Sequence, residues 1–272
     1  MPIDWPQWRA LPLSPPCAPL APLIGSLPVG RWPSPGEWSG LAAARSVTNA
    51  RGISIAFVPP SVPPLSAMAF ETRVFDAGEV ETRPGCWHDA FHAAAWLMFP
   101  RAKARINALH VADGLDDTPN RRSVLRNVLT LIDEGGLVVA SADASLLKSV
   151  RAFEWHELFW RRRGEVNEAM DFTIFGHALY ERALGMHHGI TGRGVLLEVD
   201  SAYFRLARGA RVRHLDARLC DVLDDRALMT SPGFIQPVPI KGIPGWAGEN
   251  RDEAYYFDTS QFCTGRRSAV AC

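Results

Sequence analysis

CWHDAFHAAAWLMFPRAKARINALH, residues 86–110, is the stretch on which the reading of the fold turns. Its apolar residues recur at helical spacing and Pro100 divides it, so a helix is expected over 87–98 and a second over 101–112. Pro100 either kinks one rod or opens the second helix, where its missing N–H is not needed. His88 and His92, four residues apart, fall on one helical face, close enough to share a zinc or other divalent metal ion. The order H-D-x-x-H is similar to the H-E-x-x-H of zinc peptidases, in which the carboxylate acts as base on a metal-bound water; aspartate is one methylene shorter.

A third ligand would be Cys86 or His110. On one straight rod His92 and His110 would stand about 27 Å apart, so they meet only if Phe99-Pro100 reverses the chain. The two helices would then form an antiparallel hairpin, with His110 beside His88 and Asn107 one turn earlier on a similar face. The competing reading is structural. Trp87, Phe91, Trp96, Leu97 and Phe99 make this a core-forming segment, and a histidine there more often donates to a backbone carbonyl than binds metal. Asp89 would simply suit the first turn of its helix.

Working outward, residues 1–64 hold most of the 21 prolines together with Trp5, Trp8, Trp32 and Trp38, the pattern of an extended arm packed on a core. Leu11 to Val29 is apolar, yet its prolines would break a membrane-spanning helix, and Asp4 stands where a secretory signal would be basic. Within the arm a short helix is expected inside 36–50 and a strand over 52–58, with a second strand over 70–75. Downstream, 127–132 and 137–141 read as a hairpin around Asp133-Glu134-Gly135-Gly136, whose paired carboxylates are a candidate for metal or acid–base work but stand at an exposed tip, where acidic residues need no explanation. Residues 144–163 read as helix, 172–175 and 195–199 as strands, 178–184 and 216–228 as helices, and the prolines and glycines around Trp246 as a loop. These elements predict an α+β fold, a mixed sheet with packed helices. The expected organisation is one core domain over 65–263, the arm, and a flexible tail over 264–272.

Lysine plus arginine equals aspartate plus glutamate at 29 each, so no global field favours nucleic acid or an anionic membrane as partner. The five cysteines are scattered and odd in number, which suits reduced thiols in the cytoplasm. His177, in Gly176-His177-Ala178-Leu179-Tyr180-Glu181, follows a β-rich run and so sits where strand meets helix, a position for a general acid or base partnering His88. A buried histidine packing beside glycine is the competing reading. His187-His188-Gly189 and the glycines after it read as a turn, not a phosphate loop. Arg101, Lys103 and Arg105, with Arg121, Arg122 and Arg126, are candidates for holding an anion, although Asp113, Asp116 and Asp117 lie between them.

Several segments together resemble one bacterial family. They are Glu79-Val80-Glu81-Thr82-Arg83, Trp87-His88-Asp89, Trp96 to Pro100, Asn107 to His110, Leu129 to Gly136, Phe175 to Glu181 and Gly242 to Trp246. The chain resembles domain of unknown function family 3025 from about residue 70 to 258. The resemblance implies no substrate and no catalytic residue. It implies asparagine as the family's habit at the position of His92, and no habitual cysteine at Cys86, so a shared site would rest on His88, Asp89 and His177.

Two functions are expected from these residues. One is a small-molecule hydrolase using a site of His88, Asp89, His110 and His177, with Arg101, Arg105 and Asn107 binding an anionic substrate. The other is a non-catalytic binding module, in which the arm and the loop carrying Trp246 form an aromatic groove for a small molecule or a protein segment.

Overall fold

The computed structural model describes residues 3–113, 123–231 and 233–263. The chain opens with α1 (Trp5–Ala10), a 3-10 turn (Pro15–Leu20), α2 (Ala21–Ile24) and α3 (Pro35–Ala44). Then come β1 (Ala56–Val58), α4 (Ala67–Ala77) and β2 (Glu79–Glu81), in which β1 and β2 pair in parallel. The helices α5 (Trp87–Met98), α6 (Pro100–Ala112) and α7 (Val124–Gly135) follow, and α7 runs straight into β3 (Gly136–Ser141). The remainder comprises α8 (Ala144–Arg151), α9 (Arg163–Ala169), β4 (Met170–Ile174), α10 (His177–Ala183), β5 (Thr191–Glu198), α11 (Arg208–Asp224), α12 (Arg226–Met229) and β6 (Gln236–Pro239).

The larger sheet has the order β4-β3-β5-β6 and is mixed: β3 runs parallel to β5 and antiparallel to β4, and β6 runs antiparallel to β5. Every residue of β3 is buried, as expected of a central strand covered on both faces. The α+β fold anticipated from sequence is therefore present, and the helices over 87–98 and 101–112 stand where the pattern put them, with Pro100 at the first position of α6. The strands over 172–175 and 195–199 and the helix over 178–184 are present as well.

Three expectations fail for identifiable reasons. Residues 70–75, rich in aromatic and β-branched side chains, are helical. Ser66 caps α4 by accepting from Ala69 N–H, and Gly78 closes it in the left-handed conformation at φ 71°. Residues 127–132 are not the first strand of a hairpin but part of α7. Ser123 accepts from Arg126 N–H, and Leu125, Leu129 and Ile132 bury one helical face. Residues 144–163 are not one helix: α8 ends at Arg151, Phe153 takes a positive φ of 57°, and a π-helical turn over Glu157–Arg161 leads into α9. The expected strand over 52–58 contracts to β1, and the helix expected to begin at 216 begins at Arg208. The proposed tail, 264–272, lies outside the described residues, as do Asp116, Asp117, Arg121 and Arg122.

Candidate functional site

Helix α10 lies across α5, and their contact builds the site. Phe91 of α5 stacks on Tyr180 of α10 with ring centroids 5.3 Å apart, and both are buried. On the neighbouring strip of α5 lie His88 and His92, and the His177 ring meets both, at 4.4 and 4.7 Å between centroids. Two glycines bring in the third element. Gly176, just before α10, packs so closely on the end of α7 that a methyl group there would meet Gly136 N at 2.4 Å and Glu134 O at 2.5 Å. Phe175 and Gly176 both donate their N–H to Gly136 O. The last turn of α7 is thereby pinned beside the first turn of α10, which sets Asp133 and Glu134 around His177.

The outer part of the cluster is an open cup. His177 Nε2 stands 3.1 Å from His88 Nε2 and 3.5 Å from Glu134 Oε2. His177 is 3 % exposed, whereas the His88 and Glu134 side chains are 37 % and 45 % exposed, so the cup has a closed floor and a solvent-facing rim. Behind each imidazole stands a carboxylate: Asp133 Oδ2 lies 3.8 Å from His177 Nδ1, and Glu181 Oε2 lies 3.5 Å from His88 Nδ1. The His177 ring beside it holds the Glu134 carboxyl below the ordinary glutamate range. Above Gly135, the residue after Glu134, lie the exposed Arg193 and Arg182. A methyl group on Gly135 would meet Arg193 Cγ at 3.1 Å and an Arg182 guanidinium nitrogen at 3.5 Å.

Below the floor is a buried polar layer. The Lys103 ammonium, 3 % exposed, is bonded to Asp133 and lies 5.7 Å from the centroid of the Trp96 ring. Burial raises the Asp133 carboxyl, but the neighbouring Lys103 ammonium leads the effects that outweigh it and keep the group ionised. His92 is held neutral first by burial and then by Lys103. His110 is held down by burial too, with Lys103 and Arg126 adding to the effect. Glu71 on α4 accepts from Asn107 Nδ2 at 2.7 Å, and burial pushes its carboxyl up to about 7.

The residues anticipated from sequence divide accordingly. His88 and His177 meet. His92 contacts His177 from the floor, so each of the two helix histidines meets His177 in a different set: His88, Glu134 and His177 converge at the rim, and His92, Asp133 and His177 below it. His110 and Asn107 belong to the buried layer. Asp89 points away from the cup and ties down the loop before α5, accepting from the backbone N–H, Nε and a terminal guanidinium nitrogen of Arg83 and from the Cys86 thiol. Cys86 is thus engaged with Asp89 and belongs to neither convergent set. The anion-binding pair is placed differently as well. Arg105 pairs with Asp224, while the Arg101 and Ala102 N–H groups are capped by Asp216. Trp246 lies in a separate cleft of about 460 Å³, lined also by Pro15, Pro19, Phe172, Arg208 and Arg211 and by none of the cup residues. Sequence reasoning put Asp133 and Glu134 at an exposed tip and Lys103 among anion-binding residues, and it gave Glu71 no role. The burial period of α7 was the available signal for the first two.

A mixed sheet packed with helices, carrying a cup of two imidazoles and a carboxylate where three helices meet, defines the class of protein. Residues 55–266 match the family model described as Protein of unknown function (DUF3025), and the chain belongs to that family. No curated protein and no solved structure matches it. Among the described residues no helix is long and apolar enough to cross a membrane.

Proposed function

We propose that the protein is a hydrolase of small anionic molecules that works in the cup of His88, Glu134 and His177. The observation that carries this reading is the approach of His88 Nε2 to His177 Nε2 beside the Glu134 carboxylate, with one side open to solvent. Three groups able to take a proton or orient a water converge there, while the carboxylates behind the two rings fix which nitrogen faces inward. Arg182 and Arg193, which lie against Gly135 next to Glu134, would supply the positive charge expected to hold an anionic substrate, in place of Arg101 and Arg105. A cytoplasmic setting belongs to the same proposal and draws on the free thiols of Cys17, Cys86, Cys220 and Cys263.

The test is a turnover screen over phosphate esters, carboxylate-bearing esters and carboxylate-bearing amides, comparing wild type with His88→Ala and His177→Ala. Losing a positioned acid–base group should lower turnover on the order of 10²–10⁴-fold in both variants. Turnover equal in all three proteins, or none by wild type across the panel, would count against a hydrolase.

The cleft around Trp246 favours a second reading. Its walls come from the arm and from the loop after β6, and Phe172 meets Trp246 edge to face at 6.5 Å. This is the groove a binding module would use. Ligand protection that responds to Trp246→Ala and not to His88→Ala would favour it over the hydrolase.

A further inference from the structure

The two imidazoles of the cup turn one nitrogen each toward the same point, beside a carboxylate. His177 Nδ1 is buried and makes no hydrogen bond, and the nearest carboxylate oxygen, from Asp133, is 3.8 Å away. An N–H on Nδ1 is the arrangement that suits a carboxylate there, since a lone pair would face a negative charge. The same holds for His88, whose Nδ1 faces Glu181 at 3.5 Å. With each Nδ1 turned toward a carboxylate, both Nε2 atoms are directed into the cup. They stand 3.1 Å apart, with the Glu134 carboxylate 3.5 Å from one of them. Two imidazole nitrogens and a carboxylate oxygen within 4.8 Å of one another form a donor set for a cation.

We propose that His88 Nε2, His177 Nε2 and a Glu134 carboxylate oxygen form a mononuclear site for a divalent transition metal of the zinc class. Tetrahedral bonds of about 2.0–2.1 Å would separate neighbouring ligand atoms by about 3.3 Å; the two separations that involve His177, 3.1 and 3.5 Å, bracket that value, and all three ligand atoms lie within 4.8 Å of one another. Asp133 and Glu181 stand where carboxylates that orient metal-bound histidines stand, on the far nitrogen of each ring. Imidazole and carboxylate donors with no sulfur suit zinc, cobalt or nickel. The exposed rim leaves room for a fourth ligand from solvent.

A second ion is not expected. The lower set, His92, Asp133 and His177, also converges, but the Lys103 ammonium is already bonded to Asp133 and supplies the positive charge there. One metal per chain follows, with Asp133 acting through His177 as a positioning residue.

This proposal rests on the same cup as the hydrolase reading but is tested apart from it. Full-length protein purified without an affinity tag and stripped with chelator is titrated with Zn²⁺ by calorimetry and with Co²⁺ by visible absorption. The expected result is one equivalent of either ion and the intense visible bands of low-coordinate cobalt. His88→Ala, at the half-exposed rim, should abolish binding, and circular dichroism checks that it folds; His177→Ala should do the same. Asp133→Asn should weaken binding on the order of 10–100-fold, as loss of an orienting partner does. His92→Ala should keep one equivalent. No uptake of either ion by folded wild-type protein, or uptake that survives both His88→Ala and His177→Ala, would overturn the site. Uptake of one equivalent without turnover in the screen would leave the metal site standing and remove the hydrolase, and turnover by metal-free protein would do the reverse.

Discussion

Glu71 shows how a single side chain sets a pH response. Its carboxyl is raised from 4.5 to about 7, chiefly by burial, with the nearby Asp133 adding to the rise and the Asn107 hydrogen bond opposing it. The folded protein therefore holds this proton more tightly than the unfolded chain between those two values, and stability should decline as pH rises through the window. The decline approaches on the order of 2–3 kcal/mol by pH 8. Glu71→Gln keeps an acceptor for Asn107 and removes the ionisation. Urea denaturation should find variant and wild type close at pH 5 and the variant more stable at pH 8; equal responses at both pH values would remove Glu71 as the source. Residues of this kind were not legible in sequence. Glu71 sits in a run that reads as a strand, Lys103 reads only as part of an anion-binding basic cluster, and neither a buried lysine nor a buried glutamate announces itself before its partners are known. His88 and His177 were legible, the first from its four-residue spacing to His92 on one helical face and the second from its place where a β-rich run meets a helix.

At the scale of elements, the site depends on two helix ends, of α7 and α10, held together by close backbone approach, with α5 packed on α10 through its rings. An alanine at Gly176 would place its methyl against Gly136 N and Glu134 O, both main-chain atoms that cannot swing aside. Gly176→Ala should cost about 2–3 kcal/mol and draw Glu134 away from His177, weakening Zn²⁺ uptake in the same variant. Gly164, in α9, has open space around it, and Gly164→Ala should be neutral or stabilising by up to about 1 kcal/mol. Paired thermal melts and calorimetric titrations check both expectations, and a Gly176→Ala protein with wild-type melting and wild-type metal affinity would contradict the first. The helix α7 explains why sequence reasoning did not bring Glu134 to the cup or Asp133 behind it. Asn127-Val128-Leu129-Thr130-Leu131-Ile132 followed by two glycines has the composition of a strand and turn, and local propensity alone supports the hairpin. What decides for helix is Ser123 as cap and burial at 125, 129 and 132, a period that extends before and after the β-rich run. Reading a strand there moves Asp133 and Glu134 to an exposed tip, where acidic residues need no explanation. By contrast, α5 and α6 were legible because apolar residues recur at helical spacing on both sides of Pro100, which marks their junction.

The arm joins these parts into one molecule, although the family match begins only at residue 55. Trp5 packs on Trp8, Trp32 and Trp87 at 5.4, 5.8 and 5.6 Å, and Trp87 in turn stacks on Phe91. The Trp87 indole N–H donates to Ile3 O at 2.7 Å, so the start of the arm is bonded to the helix that carries His88 and His92. The tryptophans expected to line a groove are instead core: Trp5, Trp8 and Trp38 are buried, and the arm reaches the cleft beside Trp246 through Pro15, Ala18 and Pro19 of the 3-10 turn. Truncating Trp5 would therefore open a cavity against α5 itself. Trp5→Ala should cost about 3–5 kcal/mol, which for a chain of this size lowers the melting temperature on the order of 10 °C. Because α5 bears one wall of the cup on the strip beside Trp87 and Phe91, the same variant should also bind Zn²⁺ more weakly, with no change to any cup residue. If the arm were an independent wrapping that α5 does not need, Trp5→Ala would shift melting while leaving the Zn²⁺ titration untouched. Scanning calorimetry and the titration on one preparation separate those outcomes, and the contact of Trp5 with Trp87 predicts that both will move.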